Sequence, residues 1–82
     1  MLGAKAIVLI QTEVGSENRV LEELVSIPEV REAYIVYGTY DVVVKIEADS
    51  LERVRDLITN RIRRLSDIRA TVTMIVVEER VK

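Results

Sequence analysis

Cysteine and histidine are both missing from this 82-residue chain, as are tryptophan and phenylalanine. Without cysteine there is neither a disulfide framework nor a thiolate metal site. Without histidine the commonest general base and metal ligand is lost too. Three tyrosines are the whole aromatic complement, and the formal net charge is −2. Few stacking platforms and no excess of positive charge disfavour nucleic-acid binding. Long apolar runs are also lacking, so no stretch reaches the roughly 18 to 20 apolar residues of a membrane span. The N-terminal Met1-Leu2-Gly3-Ala4-Lys5 has no signal-peptide pattern, and a cytoplasmic location is expected. Ser16, Ser26, Ser50 and Ser66 have no histidine to activate them, and Glu22/Glu23 and Glu78/Glu79 are adjacent on predicted surfaces. The chain is therefore read as a non-enzyme without cofactor or metal.

What is present is an apolar fraction of 49% set against 32% charged residues. A chain this short makes one domain, 1–82, and its small core calls for help from oligomerisation. Ala4 to Thr12 is apolar at odd and even positions, which predicts a strand covered on both faces. Gly15-Ser16 breaks it, with Ser16 as N-cap, and Val20, Leu21, Leu24 and Val25 recur at helical spacing until Pro28. Strands follow at Val30 to Tyr37 and Tyr40 to Ile46, joined by a tight turn at Gly38-Thr39. Asp49-Ser50 opens a second helix, in which Leu51, Val54, Ile58, Ile62 and Leu65 step by three and four. Ile68 to Val77 is the last strand, and a frayed charged tail, Glu78 to Lys82, follows.

This order is a repeated βαβ unit. It predicts an α+β, ferredoxin-like βαββαβ fold: a four-stranded antiparallel sheet with two helices on one face. Alternation assigns Ala6/Val8/Ile10, Val42/Val44/Ile46 and Val72/Met74/Val76 to one face, and Ile7/Leu9, Val43 and Ile75/Val77 to the other. Two helices cover only one face, so the second apolar face predicts a dimer, sheet against sheet or through strand edges, and a higher assembly of dimers.

The segment Val36-Tyr37-Gly38-Thr39-Tyr40-Asp41 is the candidate site. Gly38 allows a turn whose backbone N–H groups face an anion, and Asp41 can pair with an ammonium group. Hydroxyls of Thr71 and Thr73 would complete a set suited to a zwitterion. The plainer alternative is a hairpin whose Asp41 satisfies local donors, with Thr71 and Thr73 as ordinary β-branched strand residues. Tyr34, Tyr37 and Tyr40 suit either the wall of a pocket or packing at a subunit contact, and packing is the expectation. Six arginines between Arg53 and Arg69 face an acidic stretch from Glu13 to Glu32, and these solvated faces are expected to exchange exposed ion pairs with each other or with a neighbouring subunit.

Three segments carry a resemblance: Pro28-Glu29-Val30-Arg31-Glu32-Ala33-Tyr34, then Val36 to Lys45 around Gly38 and Asp41, and the ending Thr71-Val72-Thr73-Met74-Ile75-Val76. In their order and spacing, from Ala4 to Val77, the chain resembles the effector domain of the leucine-responsive regulator/AsnC (Lrp/AsnC) transcription regulators, the RAM domain. The resemblance implies a homodimer of the dimeric α+β barrel type, rings of dimers, and an amino acid effector held between subunits near Gly38, Thr39, Tyr40 and Asp41. Relative to such regulators a helix-turn-helix domain is missing, so influence on transcription is expected through partners, among them a full-length regulator, with no direct nucleic-acid or membrane contact. An ACT-like regulatory subunit of a metabolic enzyme, and a small dimeric α+β barrel enzyme, are the alternatives.

Overall fold

The computed structural model describes residues 3–82, so the reading of Met1 and Leu2 lies outside the described residues. Its elements are β1 (Ala4–Thr12), α1 (Glu17–Val25), β2 (Val30–Ile35), β3 (Val42–Ala48), α2 (Leu51–Leu57) continued by a π turn (Ile58–Ile62), and β4 (Ile68–Ile75). The strands form one sheet in the order β2-β3-β1-β4, every neighbouring pair antiparallel. This is the expected ferredoxin-like arrangement.

Alternation along the central strands makes the core. Ala6, Val8 and Ile10 of β1 pair with Ile46, Val44 and Val42 of β3, and all six are fully buried. Val20 and Leu24 of α1, Val54 and Leu57 of α2, and Ile58 and Ile62 of the π turn close over them. Each such aliphatic side chain contributes about 1.5–3 kcal/mol by leaving water. The helix ends follow local chemistry. Ser50 Oγ accepts from Arg53 N at 3.1 Å, as an N-cap should. Ser16 stands at the N-cap of α1 but makes no side-chain cap bond, and Ser26 Oγ instead donates to Glu23 O at the far end, at 2.6 Å.

The register corrects the expected facing of the last strand. Thr71, Thr73 and Ile75 stand opposite Ile10, Val8 and Ala6, on the helix side, whereas Val72 and Met74 stand opposite Leu9 and Ile7 on the open side. Alternation within β4 is apolar on one parity and mixed on the other, so the residue types alone favoured the wrong assignment. The open face therefore carries Ile7, Leu9, Val43, Tyr34, Val72 and Met74, with no helix over it.

Boundaries differ as well. β2 stops at Ile35 and β3 starts at Val42, so a connection of residues 36–41 replaces the tight Gly38-Thr39 turn, and β4 ends at Ile75. The second helix changes pitch after Leu57: Arg63 N donates to Ile58 O, five residues back, at 2.9 Å. The tail is tied down at its start. Val76 N donates to Lys5 O at 2.9 Å, and Glu79 pairs with Lys5 at 2.6 Å and with Lys45 at 3.6 Å. The basic segment does pair with the acidic stretch, through Arg53–Glu29 and Arg69–Glu13, while Arg53 also binds Asp56 and Arg19 of α1 binds Glu23 and Asp67; no pair joins α1 directly to α2 among the described residues.

Candidate functional site

The connection 36–41 is fastened to the end of the central strand. Val36 N donates to Asp41 O, closing the loop, and Asp41 N donates to Ile10 O, both at 2.9 Å. Gln11 Nε2 donates to Thr39 O at 2.9 Å, and Thr12 N donates to Asp41 Oδ2 at 2.8 Å. Gln11 and Thr12 can do this because β1 outlasts its pairing with β3, which ends at Ile10↔Val42. Asp41 thus accepts from a backbone donor, but from Thr12 of β1, 29 positions away, and not from a donor of its own turn. A carboxylate has about four lone-pair sites, so one backbone N–H leaves it the capacity to receive an ammonium group.

Gly38 has φ +151° and no atom within 4 Å of where a Cβ would sit. Its glycine is required by the backbone and not by crowding. Tyr37 projects fully into solvent at the loop apex, while Tyr40 is half-buried.

Thr71 and Thr73 lie elsewhere. Both face the helix layer across β1 from the loop, so Gly38, Thr39, Tyr40 and Asp41 form one group and the two threonines another. The threonines line a cleft of about 560 Å³ with Ile58, Arg63 and Arg69. A second hollow of about 330 Å³, lined by Leu51, Val54, Arg55 and Ile75, continues it and shares Ile58 and Thr73. The cleft exists because α1 packs on β2, and α2 on β1 and β3, leaving the helix side of β4 thinly covered. Sequence reasoning missed Arg63 and Arg69 as lining residues. The arginine run was visible, but the π turn that brings Arg63 beside β4 leaves no trace in a pattern of steps of three and four.

On the open face a groove of about 580 Å³ is lined by Ile7, Tyr34, Val43 and Met74 and rimmed by Glu32, Lys45, Glu79 and Arg80. Tyr34 donates its hydroxyl to Glu32 at 2.8 Å, and that bond holds its pKa above the usual tyrosine value. The Lys5 ammonium holds the Glu79 carboxyl below the usual carboxylate range, and Glu79 in turn raises Lys5. Side chains of both signs therefore frame an apolar floor. No group of three or more metal-ligating side chains is found among the described residues, and no helix there is long and apolar enough to cross a membrane.

Comparison with known proteins gives a consistent picture. The chain is 34% identical over 77 residues to an uncharacterized HTH-type transcriptional regulator of Pyrococcus furiosus, covering 90% of this chain and 51% of that protein. It spans about half the length of the curated relatives it matches first. Among solved structures, FFRP-DM1 superposes with a TM-score of 0.88 at 44% identity, over 90% of this chain and 99% of that one. Escherichia coli AsnC superposes with a TM-score of 0.90 at 25% identity, over 96% of this chain and 54% of AsnC. The family model of the Lrp/AsnC ligand binding domain matches residues 5–82, and with these relatives it shows that the chain belongs to the Lrp/AsnC family.

Proposed function

We propose that this domain binds an amino acid effector where copies of the chain meet, and that occupancy of the site alters assembly and, through it, transcription. The supporting observation is the loop at the sheet end. Asp41 is held by a backbone N–H with acceptor capacity left, beside Gly38, around which the surface is open. Asp41 would take the ammonium group, and N–H groups of the Gly38–Tyr40 segment the carboxylate. Thr71 and Thr73, a strand away in the same subunit, would join the site only from a second copy. Exposure of the loop fits a pocket whose remaining walls come from a neighbour.

The homodimer would form through the open face, whose apolar floor and charged rim suit a self-complementary contact, and dimers would join further into rings. The module binds rather than catalyses. DNA contacts belong, in this reading, to partners such as a full-length regulator, in keeping with a net charge of −2. A calorimetric screen of the twenty amino acids against the assembled protein tests the proposal, with Asp41→Asn as control. Binding of one or a few amino acids, lost in Asp41→Asn, is expected, and absence of binding at millimolar ligand would overturn it.

A further inference from the structure

Gln11 is the chain's single glutamine, and it stands one residue beyond the last pair that β1 makes with β3, Ile10↔Val42. Ala70 of β4 still pairs with it, which holds its backbone in the sheet. It shares the parity of Ile7 and Leu9, so its side chain belongs to the open face. From there Nε2 donates to Thr39 O, in the middle of the connection 36–41, at 2.9 Å. The amide oxygen in that place would face a second acceptor, so Thr39 selects the NH2 end of the side chain.

That bond decides the orientation of a peptide. The described residues contain no cis peptide bond, and in a trans unit the C=O and the N–H of the next residue point in opposite directions. With the Thr39 carbonyl held toward β1, the Tyr40 N–H is turned away from it. Among the described residues the N–H groups of Val36 and Asp41 have protein acceptors, whereas those of Tyr37, Gly38, Thr39 and Tyr40 have none. We infer that Gln11 is a positioning residue for the amino acid site: by holding the Thr39 carbonyl it aims the Tyr40 N–H outward, at the carboxylate of the effector. The inference rests on the Asp41 loop being that site, and adds what orients its donors.

As a simple fastener Gln11 would add little. Asp41 is already tied to β1, since its N–H donates to Ile10 O at 2.9 Å and its Oδ2 accepts from Thr12 N at 2.8 Å. Those bonds fix the peptide between Tyr40 and Asp41 and leave the one before it, between Thr39 and Tyr40, free to turn over. Turned over, it would present a carbonyl oxygen to the incoming carboxylate in place of a donor, exchanging a charge-assisted hydrogen bond for repulsion. Gln11 therefore governs recognition of the carboxylate end of the effector, and Asp41 that of the ammonium end.

Titration calorimetry with the twenty amino acids and their α-amides tests the inference, because an α-amide keeps the ammonium group and side chain but lacks the negative carboxylate. The unsubstituted protein is expected to prefer an amino acid that it binds over the matching α-amide by about tenfold or more. Gln11→Met, similar in length but without a donor, should weaken that amino acid by about tenfold and the α-amide by less than about twofold, with assembly mass and circular dichroism unchanged. Asp41→Asn should weaken both probes. In ¹⁵N spectra of the ligand-free protein, Gln11→Met should shift the Tyr40 amide. An undiminished preference in Gln11→Met, or equal loss for amino acid and α-amide, the mark of a tie that only holds the loop, would overturn the inference while leaving the proposed function standing. Binding of none of the twenty amino acids by the unsubstituted protein would overturn both.

Discussion

Asp41 and Thr12 are 29 positions apart, yet the Asp41 carboxylate receives the Thr12 backbone N–H at 2.8 Å. That bond joins the loop before β3 to the last residue of β1. It also separates two roles by substitution. Asp41→Ala removes the acceptor and should lower stability by about 1.5–3 kcal/mol, as for a hydrogen bond to a charged group. Asp41→Asn keeps an acceptor oxygen while deleting the negative charge. Urea denaturation should show a smaller loss for Asp41→Asn than for Asp41→Ala, whereas calorimetry should show amino acid binding lost in both.

Gly38 adopts φ +151°, in a region that side-chain-bearing residues avoid, with open space around it. Gly38→Ala should therefore fold but cost about 1–3 kcal/mol from backbone strain alone. Chemical denaturation checks the magnitude. Amide shifts confined to residues 36–41 would show that the strain stays local.

The layer beneath depends on tight packing. Leu24 is fully buried between α1 and the sheet, and Leu24→Ala should cost about 2–5 kcal/mol. Denaturation at several protein concentrations reads this cleanly, because a domain that assembles gains stability with concentration.

Met74 stands opposite Ile7 on the open face and is 43% exposed in the single subunit. If two copies meet there, Met74→Glu places two like charges in one apolar contact. The expected outcome in light scattering is a fall to the mass of one copy at micromolar concentration, with the helical circular dichroism retained. A mass equal to one copy in the unsubstituted protein would remove the basis for the dimer.

Two carboxylates have lowered native pKa values and so contribute to the acid behaviour. Arg53 holds Glu29 below the usual carboxylate range through a 2.9 Å hydrogen bond, and Lys5 does the same for Glu79. A lowered native pKa stabilises the fold above the unfolded value, about 4.3 for glutamate, and that contribution is lost as pH falls through the native value. Lys5 is raised by Glu79, so its contribution is complete below the ordinary lysine value of about 10.4 and is lost at higher pH. In thermal melts across pH, Glu29→Gln should flatten only the acid limb. Glu79→Gln should flatten the acid and alkaline limbs together.

Much of this architecture could be read from residue order. Ala6, Val8 and Ile10 against Val42, Val44 and Ile46 announce a central strand pair, and Ser50 before Leu51 marks a helix start. The facing of β4 was not legible, because Thr71 and Thr73 are equally at home on a solvated or a half-covered surface and only pairing with β1 decides. The loop at 36–41 was found by Gly38 and Asp41, but not its length: Val36 and Tyr37 look like strand residues, and the bond from Asp41 N to Ile10 O that fastens the loop to β1 is a long-range contact. The cleft was invisible for a similar reason. Arg63 reaches it through one extra residue in a helical turn, a change of pitch to which the spacing of apolar residues is blind.

The pairing of β2 with β3 skips a step between Val30 and Glu32, leaving Arg31 as an extra residue on one outer margin of the sheet. At the other margin, the pairing of β4 with β1 slips between Gln11 and Thr12 and skips the exposed Arg69, the second residue of β4. Irregular, charged margins are poor templates for adding another strand. If copies join through the apolar sheet, such margins steer them away from ribbon-like growth and toward closed particles with a finite number of copies.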